Sequence, residues 1–280
     1  QVPVLGSKVL VGKLGVRDLK EIKNAKGESA FDVIRSAGFH PEDCEAHVLK
    51  EGYAEHMIEI HIEQSLRLDK EGHTIGIIQG IAGLKWLKIR IKGVPNHAGA
   101  TPMHLRQDPM AAASKIIAEI GDMARSAGET TVATVGSIEV IPNIPNAIPA
   151  EVTFSVDVRD IHREGIETVV RKIQETTEKY AKENHVEYHI STIASSEVIE
   201  IKEDLIAVME KNAQRLNLDY IVMPSGAVHD SNYMAEVTDV GMIFVPSKNG
   251  RSHVKEEDTD MADIKAGADL LLAVLLDLAG

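Results

Sequence analysis

Between Leu87 and Ile190 the apolar residues switch between strand and helix spacing in a fixed order, and that order restricts the fold more than any other feature. Leu87, Ile89 and Ile91 alternate with Lys88, Arg90 and Lys92, which gives a strand with one buried face. Asp108-Pro109 supplies an N-cap and a first-turn proline, and Met110, Ala113, Ile116, Ile117, Ile120 and Met123 follow at helical spacing before Gly128. A strand over 131–140 ends at the Pro- and Asn-rich turn 142–146. Val152, Phe154, Val156 and Val158 share the next strand face, so Thr153, Ser155, Asp157 and Arg159 share the other. A helix over 164–184 carries Ile166, Val169, Val170, Ile173 and Tyr180, and Val186, Tyr188 and Ile190 close with a strand. The order β-α-β-β-α-β is the ferredoxin-like split unit, a four-stranded antiparallel sheet with two helices on one face. It is expected over residues 80–196.

The flanks have a different character. Residues 57–62 read as a strand and 203–216 as a helix, 220–223 and 241–245 are short apolar runs of buried-strand type, and 262–278 closes as a helix. The opening Val2-Pro3-Val4-Leu5 has mid-strand character. These pieces predict an α/β domain of residues 1–79 and 197–280, interrupted by the split unit. The formal charge of −13, from 30 basic and 43 acidic residues, disfavours nucleic acid or an anionic membrane as the partner. No stretch approaches the roughly 20 apolar residues of a membrane helix. The single Cys44 forms no internal disulfide, fits a cytoplasmic protein, and reads as inert in an exposed turn.

Four contexts could carry chemistry, each with a plainer reading beside it. Glu59, His61 and Glu63 lie on one side of a strand and Ile60 and Ile62 on the other; a polar row there faces either a site or water. Pro95-Asn96-His97-Ala98-Gly99 surrounds His97 with small residues that leave its ring accessible, although turn formation alone also explains them. Ser225 to Asp230 sits between a strand and a helix, a junction that offers backbone N–H groups to anions, while Asp230 also suits a simple N-cap. Residues 246–253 leave an apolar strand where α/β folds place ligands.

In combination, HIEQ (61–64), HAGATPMHLRQDPM (97–110), PNAIP (145–149), DVRD (157–160), SGAVHD (225–230) and MIFVPSKNGRSH (242–253) resemble the metal-dependent amidohydrolases of the M20 clan. The closer likeness is to the branch of N-carbamoyl-L-amino acid hydrolase, allantoate amidohydrolase and β-ureidopropionase. The resemblance implies an α/β fold in which a zinc-peptidase-like catalytic domain, here partial, is interrupted by a ferredoxin-like lid that also makes a homodimer contact. It implies two divalent ions, Zn or Mn, with His61 and His253 as metal ligands. It implies His97 and Asn146 as catalytic donors to the oxyanion, with Gln64, Arg159 and His229 binding the substrate. The implied reaction is hydrolysis of the ureido C–N bond of an N-carbamoyl-L-amino acid, with allantoate as the alternative substrate. The alternative from another class is a non-catalytic, dimerising remnant that binds small carboxylates.

The likeness also has departures. The His-x-Asp segment and Glu-Glu pair that the family carries upstream have no match in residues 1–60, and Glu256-Glu257 reads as a solvated helix approach. The expectation is an N-terminally truncated chain with an incomplete metal site, inactive by itself. Ser65 and Val228 stand where the family has Gly.

Overall fold

The computed structural model describes residues 3–280. Three short helices lead, α1 (Leu5–Leu10), α2 (Val16–Glu21) and α3 (Ala30–Ser36), followed by β1 (His56–Ile62), α4 (Arg67–Glu71) and β2 (Ile75–Ile81). Next come β3 (Gly83–Lys92), the two-residue β4 (Asn96–His97), α5 (Pro109–Arg125), β5 (Val132–Ile141), the two-residue β6 (Ala147–Ile148), β7 (Glu151–Asp160), α6 (Arg163–Glu183) and β8 (Glu187–Ser196). The chain ends with β9 (Ile199–Glu200), α7 (Glu203–Arg215), β10 (Tyr220–Ser225), α8 (Ser231–Met234), β11 (Asp239–Val245) and α9 (Met261–Ala279). The α/β class expected from the sequence is the observed one. Two compact units result, one of residues 1–81 with 199–280, the other of Ala82–Val198.

The first unit is built on a mixed sheet in the order β1-β11-β2-β10, with β9 pairing the end of β2. β1 runs parallel to β11 and β10 parallel to β2, while β11 and β2 are antiparallel. Ile75, Ile77 and Ile78 of β2 are fully buried, packed with Met242 to Val245 of β11, Leu205 and Met209 of α7, and Leu270 and Val274 of α9. A strand buried on both faces reads as a continuous apolar run, which is why these segments lack alternation. Gly76 permits the close packing: a Cβ there would lie 2.8 Å from Met223 Sδ and 3.2 Å from Phe244 Cβ.

The second unit is the split β-α-β-β-α-β unit. Its antiparallel sheet has the order β5-β7-β3-β8. Leu87, Ile89 and Ile91 of β3 and Val152, Phe154, Val156 and Val158 of β7 pack against Ala112, Ala113 and Ile116 of α5 and Val169 and Ile173 of α6. The Asp108 side chain accepts from the amides of Met110 and Ala111, and so caps α5 as its position predicts. Asp160 lies on the buried side of β7, where it accepts from the hydroxyls of Thr130 and Thr131 and from the His162 amide.

Two expectations need correction. Leu5 begins a helix rather than continuing a strand, and Val2 lies outside the described residues. Cys44 belongs to a 3-10 helix, Pro41–His47, where partial burial and Glu45 push its thiol pKa up, in keeping with an inert cysteine.

Candidate metal centre and ligand-binding residues

β1 presents alternate residues to opposite sides, so Glu59 and His61 project together while Ile58, Ile60 and Ile62 pack on the core. The loop after β10 brings His229 to them. One ligand atom from each of Glu59, His61 and His229 falls within 4.8 Å of the others, a spacing that can hold a metal ion. Phe244, buried in β11, lies under both rings, at 6.4 Å from the centroid of His61 and 5.5 Å from that of His229.

The hydrogen bonds around the cluster decide which atoms are available. Nδ1 of His61 lies 2.8 Å from the Ile62 carbonyl, which can only accept, so Nδ1 carries the proton and Nε2 keeps its lone pair. Nε2 of His229 lies 2.7 Å from Ser225 Oγ, a hydroxyl that is itself fully buried. With the proton on Nε2, His229 donates to Ser225 and its Nδ1 carries a lone pair. That Nδ1 is buried without a hydrogen-bond partner among the described residues, 4.0 Å from Glu59 Oε1. Burial first, and His61 second, push the His229 pKa down to about 4, so the ring is neutral at neutral pH. The other carboxylate oxygen of Glu59 accepts from the Ser231 amide at 3.0 Å and the Ser231 hydroxyl at 2.5 Å. A cation between these groups satisfies the orphaned nitrogen and the facing carboxylate together. The donor set, two imidazoles and a carboxylate with anchored outer atoms, suits Zn or Mn.

The remaining sequence candidates fall into other groups. Gln64 and His253 approach each other, Nε2 to Nε2, at 3.4 Å, and both backbones are left-handed, with φ of 58° and 59°. His253 is exposed and stands outside the cluster of three. Its loop is held by Glu257, whose carboxylate accepts from the His253 amide and the Ser252 hydroxyl, both at 2.9 Å. Glu257 is exposed ahead of α9, as the sequence reading had it, and it is also tied to the loop.

In the inserted unit, His97 and Asn146 are brought together. β4 pairs with β6, and the Ala98 amide donates to the Asn146 carbonyl at 2.9 Å. Arg159 lies on the polar side of β7 as its alternation predicts. Its guanidinium straddles Asp157, with Nε 3.0 and 3.2 Å from the two carboxylate oxygens and Nη2 at 2.9 Å.

Sequence reasoning placed Glu59 on the polar row of β1 and Ser225 in the junction 225–230 without giving either a role, and it missed Ser231. The row itself was the signal for Glu59. The junction marked the place of Ser225 but not its contact with His229, and Ser231 gave no signal, since a buried hydroxyl is not marked by spacing.

A carboxylate and two imidazoles beside a mixed α/β sheet define a candidate metal-binding protein. The family model for peptidases M20/M25/M40 matches residues 6–277, and the chain belongs to that family. Among its relatives, an N-carbamoyl-L-amino acid amidohydrolase of Geobacillus stearothermophilus is 37% identical over 276 residues, covering 99% of this chain and 67% of that protein. An allantoate amidohydrolase of Escherichia coli is 31% identical over 274 residues, covering 98% of this chain and 66% of that protein. A solved hydantoinase/carbamoylase family amidase from Burkholderia multivorans matches with a TM-score of 0.89 at 27% identity, covering 99% of this chain and 66% of that one. The chain thus spans about two thirds of the length of the curated relatives it matches.

Proposed function

We propose that this chain carries the metal-binding and substrate-clamping parts of an amidohydrolase that cleaves the ureido C–N bond of N-carbamoyl-L-amino acids. The observation that carries the reading is the cluster of Glu59, His61 and His229, with its orphaned buried nitrogen, in a chain similar to enzymes bearing that name. The allantoate amidohydrolase of Escherichia coli, 31% identical, supports the second substrate. Both substrates pair a ureido group with a carboxylate.

A divalent ion supplies electrophilic polarisation and an activated water to such a reaction. The rest is the work of this chain's side chains. Glu59, His61 and His229 hold the ion, which gives His229 a metal role rather than contact with substrate. His253 stays a ligand for a second ion, beside Gln64 on the substrate side. Arg159 receives the substrate carboxylate through its planar fork, with Asp157 fixing the fork's plane. His97 and Asn146 donate to the oxygen that gains charge as the carbonyl carbon turns tetrahedral.

The inserted unit is the lid and the homodimer contact. β5 supports this, being an edge strand that exposes Val132, Ile138 and Ile141. No helix among the described residues is long and apolar enough to cross a membrane. The lone Cys44 fits the cytoplasm as location.

Titration calorimetry of the purified chain with Zn or Mn tests the centre. His61→Ala and His229→Ala are each expected to weaken binding at least tenfold, and unchanged binding in both variants overturns the site. Parallel ammonia-release assays with allantoate and several N-carbamoyl amino acids test the rest. Release from N-carbamoyl amino acids supports the proposed reaction, release from allantoate alone favours the second substrate, and release from neither overturns the reading while leaving the metal site standing.

A further inference from the structure

We propose that Arg106 is a positioning residue that holds His97 as a fixed hydrogen-bond donor, with its proton on Nε2. The inference deepens the reading of His97 as an oxyanion donor and rests on that reading for its catalytic meaning.

The geometry begins at the ring. Nδ1 of His97 receives two backbone amides, from Gly99 at 3.1 Å and Ala100 at 3.2 Å. An amide N–H only donates, so Nδ1 must offer a lone pair to both. The one proton of the neutral ring is then on Nε2, at the far edge of an exposed side chain. A ring held this way donates from Nε2. It is unfitted to act as a base or to ligate a metal through that atom.

Two amides aim at one ring nitrogen only if the turn that carries them is held tightly. Thr101 closes it on one side, donating to the His97 carbonyl from its amide at 3.1 Å and its hydroxyl at 2.8 Å. Arg106 closes it on the other. Its Nη2 donates to the Ala98 carbonyl at 2.5 Å and its Nε to the Thr101 carbonyl at 3.1 Å. Those carbonyls flank Gly99 and Ala100, so a single planar fork fixes both ends of the segment whose amides face Nδ1. Lysine has a point charge in place of the fork and reaches one carbonyl at a time. Arg106 is half-buried and makes no ion pair among the described residues, so both of its observed bonds serve this turn.

The test is the ring signature of His97 in long-range proton–nitrogen NMR of the full chain, assigned by its loss in His97→Asn. The wild-type ring is expected to show an unprotonated Nδ1 and a protonated Nε2. Arg106→Gln is expected to shift it toward a mixture of tautomers, and Arg106→Lys to fall between. If Arg106→Gln melts the inserted unit, Arg106→Lys carries the test by itself. A wild-type ring protonated on Nδ1, or a signature unchanged in the folded variants, overturns the proposal. In active enzyme, Arg106→Gln is expected to lower kcat at least tenfold with KM changed less. Absence of turnover in the wild type bears on the amidohydrolase reading alone, because the ring signature is read without substrate.

Discussion

His61 and His229 meet edge to face, their ring centroids 4.7 Å apart and their planes at 72°. Two imidazolium ions would repel at that distance, and burial already opposes charge on His229. Each ring has one nitrogen engaged by an oxygen, the Ile62 carbonyl for His61 and the Ser225 hydroxyl for His229, and both rings lie beside Glu59. Outer hydrogen bonds thus set which lone pairs a cation meets.

Ser225→Ala removes the hydroxyl that pairs with Nε2 of His229. Zn or Mn affinity is expected to fall about 10–100-fold, the usual effect of losing an outer partner of a metal-binding histidine. Calorimetry on the folded variant measures this, and an unchanged affinity would mean that Ser225 does not orient the ring.

Glu63→Gln probes the start of α4. The buried Glu63 carboxylate accepts the Arg67 amide at 3.0 Å and the Leu68 amide at 2.9 Å, and a carboxamide can serve only one of them. Urea unfolding of the metal-free protein is expected to show a loss of about 1–3 kcal/mol. Burial outweighs these bonds and raises the Glu63 pKa. A raised carboxyl favours the fold most below its unfolded pKa, and that contribution is lost as pH rises through the folded value. Stability of the wild type relative to Glu63→Gln should therefore increase as pH falls from neutral toward 4.5.

Gly165→Ala should destabilise the inserted unit even though alanine is the better helix former. A Cβ at residue 165 would sit 1.8 Å from Asp160 Oδ2 and 2.9 Å from Thr131 Oγ1, displacing a buried carboxylate from its hydroxyl partners. A loss of about 1–3 kcal/mol is expected from thermal or urea unfolding. A gain in stability would show that Asp160 relocates freely.

Arg159→Lys replaces the fork that Asp157 holds. In active enzyme, KM for a ureido carboxylate is expected to rise about tenfold or more with a smaller change in kcat, the mark of lost ground-state binding. A fall in kcat at constant KM would place Arg159 on the reacting group instead.

The inserted unit was legible because each of its strands has one wet face and each helix one apolar stripe. Alternation therefore announces β3 and β7, and the Asp108-Pro109 cap announces α5. β2 was missed for the opposite reason. Ile75 to Ile81 is buried on both faces and broken by Gly76 and Gly80, so it shows neither alternation nor length. The short leading helices carry no long stripe and were not predicted, and the strand character read over residues 2–5 ran into α1 at Leu5. In the site, His61 and Glu59 were visible as a polar row on an apolar strand. The parts that orient the rings and the carboxylate, Ser225, Ser231 and the fork of Arg106, act through single hydroxyls and through carbonyls brought together by the fold. No residue spacing reports those.

The insertion also sets a timetable for folding. Every strand and helix of the second unit comes from one uninterrupted stretch, Ala82–Val198, and its pairings close within that stretch. The first unit must join His56 to Asp239 and Ile75 to Tyr220, contacts that span much of the chain. During synthesis the inserted unit can therefore complete its core while β1 and β2 still wait for their partners. Until β10 and β11 emerge, the apolar β2 lacks both of its long partners, and that interval is where this protein is most exposed to aggregation.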